Sequence, residues 1–258
     1  MSETSRRFEV GTEEWLHQTG GRLTLREAVE VSAQGLSQAV RERLRRGRPD
    51  PGESAGQVAR VAKARNELES VLGTQRERIL QRQGQALLHH ACRTFLLGAA
   101  LLDDEGFSRI DGQAAAIAAL AHDDGLVHPS ARGQCFTVDS AAEVTTMMGR
   151  EGESSEVVAV ARAAVISHFQ PTLPSRAGAE AQLIALGASA DVMGFGLSCL
   201  DPGLLQDVRL EWPDLEFLVE VKSLLKGERR RAPRTRAGVL AISGMPYLLR
   251  SGRSSNKA

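Results

Sequence analysis

The chain is 258 residues long, 42% of its side chains are hydrophobic, and 32 basic and 32 acidic residues leave no formal net charge. That length supports one sizeable core, while balanced charge and an aromatic content of 4% give no reason to expect nucleic-acid binding or a base-stacking platform. Three widely separated cysteines (Cys92, Cys135, Cys199) read as reduced thiols of a cytoplasmic protein, no signal peptide is visible behind Met1 to Arg7, and no run is long and apolar enough to span a bilayer.

Helical signals dominate the pass along the chain. Thr24-Leu25-Arg26-Glu27 is a capping box that opens an amphipathic stretch to about Leu44. Residues 47–56 are a loop by composition. A long polar-faced helix is expected from Gln57, with a break at Gly73-Thr74, and a helix carrying His89 and His90 runs to about Leu102, where Asp103 to Gly106 stops it. The alanine-rich stretch Gly112 to Ala121 is an apolar helix. Cys135 to Val138 is the best extended candidate, and strand signals are otherwise nearly absent. Ser140-Ala141-Ala142-Glu143 reads as a second capping box, opening a helix that ends near Gly149. Further helices are expected over Glu153 to Phe169, closed by Pro171, over Ala177 to Leu186, with Asp191 just beyond Gly187, and over Pro213 to Leu225, with proline in the first turn. The basic run 228–236 reads as a solvated connection, Ala237 to about Leu249 as a last helix, and Ser251 to Ala258 as a polar tail. The expected architecture is an all-α bundle with metal candidates on facing helices. Its divisions are an N-terminal helical extension and loop (1–56), a helical core (57–225), and a basic connection with a C-terminal helix and tail (226–258).

The most informative residues are His122 and Asp123, at the end of the alanine-rich helix. Neighbouring side chains bind one cation only where the backbone turns, and a helix end is such a place. Mixed imidazole and carboxylate ligands suit a divalent ion such as Zn, Fe, Mn or Ni. The chain offers partners on both sides, His90 before the doublet and His168 and Asp191 after it. His89 adjoins His90, and neighbours on a helix point about 100° apart. The spacing to Arg93 favours His90 as the inward residue and leaves His89 peripheral. Asp139 reads as a helix cap.

The order H…HD…D, carried by His90, His122-Asp123 and Asp191, resembles the HD superfamily of metal-dependent hydrolases. The details are most similar to its cyanamide-hydratase-like branch, on His90-x-x-Arg93-Thr94-Phe95, His122-Asp123-Asp124-Gly125-Leu126, Cys135 to Asp139 and Asp191-Val192-Met193-Gly194. The resemblance covers roughly Gln85 to Leu225. Two positions depart from it. Asp124 stands where an aliphatic residue is commoner, adding negative charge beside the metal, and Ser140 stands where the branch often has glycine. The resemblance implies an HD-domain-like bundle in which His90, His122, Asp123 and Asp191 bind one divalent ion. Metal-bound hydroxide then attacks a small-molecule electrophile, with Asp123 as general base. His168 is a candidate for proton transfer, substrate orientation or a second metal, and Arg93 and His128 are candidates for substrate contact. Nitrile or cyanamide-type hydration is the branch expectation. The alternatives are phosphohydrolysis of a nucleotide or other phosphoester, dinuclear-iron oxygenase chemistry, and a non-catalytic helical binding module. Few basic residues (Arg93, Arg132, Arg176) and no glycine-rich phosphate loop tilt the reading away from nucleoside triphosphates. A homo-oligomer is an open expectation; no nucleic acid or membrane is expected as a partner.

Overall fold

The computed structural model describes residues 8–44 and 51–242, and among them it is all-helical, with one isolated bridge between Arg22 and Thr235. The helices are α1 (Glu13–Thr19), α2 (Leu25–Leu44), α3 (Pro51–Leu101), α4 (Asp104–Ser108), α5 (Gly112–Ala121), α6 (Asp124–Val127), α7 (Phe136–Glu151), α8 (Ser155–His168), α9 (Ala179–Met193), α10 (Pro202–Glu211), α11 (Phe217–Arg231) and α12 (Arg236–Ile242). A 3-10 turn at Leu197–Cys199 links α9 to α10.

At the centre lies α5. Asp111 caps it by accepting from the Ala114 N–H at 2.9 Å, and every residue from Ala114 to Ala121 is buried. Its small side chains let α3, α7, α8 and α9 close around it. The tightest approach in this ring is between α3 and α9. A Cβ on Gly187 would run into the Thr94 carbonyl, and one on Gly98 into the Leu183 carbonyl. The two helices thus cross backbone to backbone in antiparallel register. Each step of four residues down α3 (Gly98, Thr94, His90) meets a step of four up α9 (Leu183, Gly187, Asp191).

The capping box at Thr24 forms as the sequence predicts: Thr24 N–H donates to Glu27 Oε2 at 2.7 Å, and Glu27 N–H to Thr24 Oγ1 at 3.3 Å. Other expectations are corrected. The break in α3 falls at Gly84 (φ 78°, ψ 174°), a conformation essentially reserved for glycine, and not at Gly73-Thr74, which stays helical. Residues 51–56 extend this helix; 47–50 lie outside the described residues. Cys135 is not extended strand but the N-cap of α7, so Ser140 sits inside that helix and forms no cap; α7 ends at Gly152 in place of Gly149. Glu143 instead pairs with Arg78 and Arg82. Helix α9 runs through Gly187 to Met193, so Asp191 belongs to its last turn.

The basic run is not a solvated connection. Residues 228–231 complete α11, where Arg231 donates to Gln134 O at 2.9 Å, and Arg236 is fully buried at the start of α12. Its guanidinium donates to Gln170 Oε1, Thr137 Oγ1 and the Ile166 carbonyl, which ties α12 to α7 and α8. Residues 243–249 of the expected last helix and the tail 251–258 lie outside the described residues. Helices α1, α4, α6 and α10 were not expected; α1 buries Trp15 and Leu16 in the core.

The helix crossing generates a prediction. Gly187→Ala destabilises the fold by about 1–3 kcal/mol, because the added methyl meets an immovable carbonyl. Gly73→Ala, in open space on α3, stabilises it by up to about 1 kcal/mol. Chemical denaturation of the two variants checks the opposite signs.

Candidate metal centre

The doublet sits where α5 hands over to α6. His122 is the last residue with helical backbone, and Asp123 turns at φ −105°, ψ 1° before α6 begins. The turn is clamped against α7: Gly125 N–H donates to Ser140 Oγ at 2.9 Å, and a Cβ on Gly125 would run into the Phe136 carbonyl. Ser140, a departure from the branch pattern, therefore holds the doublet's backbone in place.

Three ligand-type atoms converge. His90 Nε2 lies 3.1 Å from His122 Nε2 and 3.5 Å from Asp123 Oδ2, and His122 Nε2 lies 3.6 Å from that oxygen. All three residues are buried. The far nitrogen of each ring is committed. His90 Nδ1 bonds to Asp191 Oδ2 at 2.7 Å, and His122 Nδ1 to the Ala119 carbonyl at 2.6 Å. A carbonyl and an ionised carboxylate only accept, so each Nδ1 carries the proton and each neutral ring turns an Nε2 lone pair inward. Two lone pairs facing at 3.1 Å repel. A shared proton is a poor remedy, because burial, foremost, holds the His122 pKa below the ordinary histidine value. Asp123 sets a carboxylate beside these two rings. A cation among these three groups satisfies the lone pairs and the carboxylate together. The buried group of His90, His122 and Asp123 could hold a metal ion.

Asp191 does not join the three atoms; its carboxylate stands behind His90 on the ring's other nitrogen. There it receives Arg93 in a fork, Nε to Oδ1 at 2.7 Å and Nη2 to Oδ2 at 2.8 Å. Burial raises the Asp191 carboxyl, yet the bonds from His90 and Arg93 bring it down to about 2. This is the carboxylate–histidine arrangement that orients a ligand ring from outside. Arg93 is consumed in it, and its Nη1 also donates to the Trp212 and Pro213 carbonyls at 2.9 and 3.0 Å, so it is not presented to a substrate. Neither is His128, which closes α6 and is bonded through Nε2 to the Arg82 carbonyl at 2.8 Å. Asp124 turns toward α3, where Arg82 holds both its oxygens at 3.0 and 2.6 Å and Gln83 adds a bond, so its charge is compensated away from the three ligand atoms. His89 is peripheral to the centre, though buried, and bonds to the Pro213 carbonyl. Asp139 caps no helix; it takes bonds from Ser130 N–H and Gln134 and holds the loop before α7.

His168 does reach the centre. Its ring stands edge-on to His122 with centroids 4.9 Å apart, and its Nδ1 donates to the Val165 carbonyl at 2.6 Å, leaving Nε2 as an acceptor. Burial, above all, lowers its pKa to about 3. His90, His122, Asp123 and His168 line one cavity of about 300 Å³, walled otherwise by α2, α9, α11 and α12. Nothing in the local sequence signals Phe217, whose ring stacks on His90 at 4.0 Å and 10°, or α2 as a wall of the cavity.

No protein-family profile matches the chain, and no curated protein matches it.

Acid sensitivity follows from the buried rings. An unfolded histidine takes up a proton near pH 6.5, whereas folded His168 resists protonation until about pH 3 and the His122 pKa is lowered as well. The unfolded chain therefore binds more protons below pH 6.5, and the metal-free fold loses up to about 1.4 kcal/mol per pH unit for each of these histidines. Urea titrations at pH 7.5 and pH 5.5 check this; equal stabilities would contradict it.

Proposed function

We propose that this chain is a metal-dependent hydrolase or hydratase of the kind its H…HD…D order resembles, adding water to an electrophilic carbon of a small molecule. The observation that carries the reading is the pair of Nε2 lone pairs 3.1 Å apart beside Asp123, each fixed from behind by a proton on Nδ1. A closed structural site is commonly cysteine-rich, but here three ligands open onto a cavity, the pattern of a catalytic centre.

His90, His122 and Asp123 would hold a divalent ion, which would supply Lewis acidity and lower the pKa of a bound water. The chain's own groups do the rest. Asp191 and the Ala119 carbonyl keep the two imidazoles turned inward. The second carboxylate oxygen of Asp123 accepts a hydrogen bond from the attacking water and orients it. Once water has added to a nitrile-type carbon, the nitrogen needs a proton from that water, and His168, in the wall of the same cavity, orients the exchange as a hydrogen-bond acceptor. One water proton goes to the substrate nitrogen to give an imidic acid or isourea, and its hydroxyl proton then shifts to nitrogen, so the product is an amide or, from cyanamide, urea.

Elemental mass spectrometry of the purified chain is expected to give about one divalent metal per chain, lost in Asp123→Ala. His168→Ala is expected to keep the metal and lose about a hundredfold in turnover of a nitrile-type substrate. Two iron atoms per chain, with one lost in His168→Ala, would replace this reading with dinuclear oxygen chemistry. No metal in the wild-type chain after reconstitution would remove the enzyme reading.

A further inference from the structure

We propose that the substrate of this site is an uncharged, mainly apolar small molecule, bound with its body in the cavity beneath α2 and its electrophilic end at His90, His122 and Asp123. This rests on the reading above and goes beyond it by giving the body of the substrate an uncharged, apolar character. The cavity is lined by Leu36, Ala39, Val192, Val221, Leu225 and Leu240 in addition to the centre, and no lysine or arginine is among its described lining residues. Its volume of about 300 Å³ falls within the range of small-molecule pockets.

Among the described residues, the guanidiniums bonded around the centre are engaged elsewhere. Arg93 is forked onto Asp191 and two carbonyls, Arg82 is held by Asp124, and Arg236 by Gln170, Thr137 and the Ile166 carbonyl. Arg132 and Arg176 do not line the cavity. A phosphate or carboxylate on the body of a ligand would be stripped of water with no cation to receive it, a heavy penalty in an apolar enclosure. The approach has the same character. A second cavity of about 560 Å³ shares Gln38, Gln170, Pro171, Ser189 and Phe195 with the first, and it carries Glu42 and Glu53 but again no described basic residue.

Gly35 of α2 lines the cavity, and a Cβ there would stand at ordinary contact distance, 3.7 Å from Pro171 and 3.8 Å from Leu240. A larger side chain at this position projects into the space without breaking the helix.

Two probes of nearly equal shape that share a nitrile end decide the matter: 4-methylbenzonitrile, which is neutral, and 4-cyanobenzoate, which carries its charge at the far end. Binding to the zinc-loaded full chain is read by calorimetry or ligand-observed NMR. The neutral probe is expected to bind at least about tenfold more tightly than the anion. Gly35→Ala is expected to weaken it about threefold and Gly35→Leu more than about tenfold, with zinc content and melting temperature kept. Equal or tighter binding of the anion overturns the proposal, as does neutral-probe affinity indifferent to Gly35→Leu. A chain that turns over phosphoesters keeps the hydrolase reading and loses this one. A chain that binds the neutral probe in the cavity yet holds no metal keeps the binding class and loses the hydrolase reading.

Discussion

The geometry of the candidate metal centre depends on how closely α3 and α9 cross. Gly98 and Gly187 let the two backbones touch, and the antiparallel register then carries the contact one turn further, to His90 and Asp191. That register delivers the carboxylate to His90 Nδ1 and places Arg93, three residues along the same face of α3, in position to fork it. The orientation of the His90 ring is thus settled by a packing contact two turns away. Phe217 completes the hold from the opposite side by stacking flat on the ring. An added methyl at the crossing would separate the helices, and the ring would lose its acceptor before it lost its place on α3.

The charges around the centre are paired so that one carboxylate is left for the interior. Asp191 is compensated by Arg93, and Asp124 by Arg82, while His122 and His168 are held neutral by burial. Asp123 alone faces the cavity as an anion, in contact with two imidazole lone pairs. Such a group attracts a cation and offers nothing to an anionic ligand. The same bookkeeping explains why arginines near the site are poor guides to the substrate: each is spent on the scaffold, and Arg236, with no carboxylate among its hydrogen-bond partners, is spent on carbonyl, amide and hydroxyl oxygens.

The all-helical fold was legible in the sequence, as were α5 to the residue and the capping box of α2, because apolar periodicity and local cap chemistry determine them. The meeting of His90, His122 and Asp123 was legible from their order through resemblance. The role of Asp191 was not, since a carboxylate on the metal side and one on the far side of a histidine read alike in sequence. Gly187 read as a helix end because glycine is a common stop signal, whereas tertiary contact with Thr94 makes it an interior residue. Ser140 and Glu143 match a capping box by spacing, but the true cap lies five residues earlier at Cys135 and the two side chains serve Gly125, Arg78 and Arg82. The basic run looked solvated because local composition cannot show that Arg236 meets three distant acceptors inside the core. The chamber escaped the sequence for a similar reason: its walls come from helices far apart in the chain.

The central claim is that His90 and His122 are neutral imidazoles, protonated on Nδ1, whose Nε2 atoms bind a common cation. Long-range ¹H–¹⁵N correlation of the histidine rings, in the metal-free chain and after zinc is added, measures this directly. The account predicts Nδ1–H tautomers for both rings in both states, with zinc shifting both Nε2 resonances. A proton on either Nε2 in the zinc-loaded chain, or Nε2 resonances that zinc leaves unmoved, would contradict it.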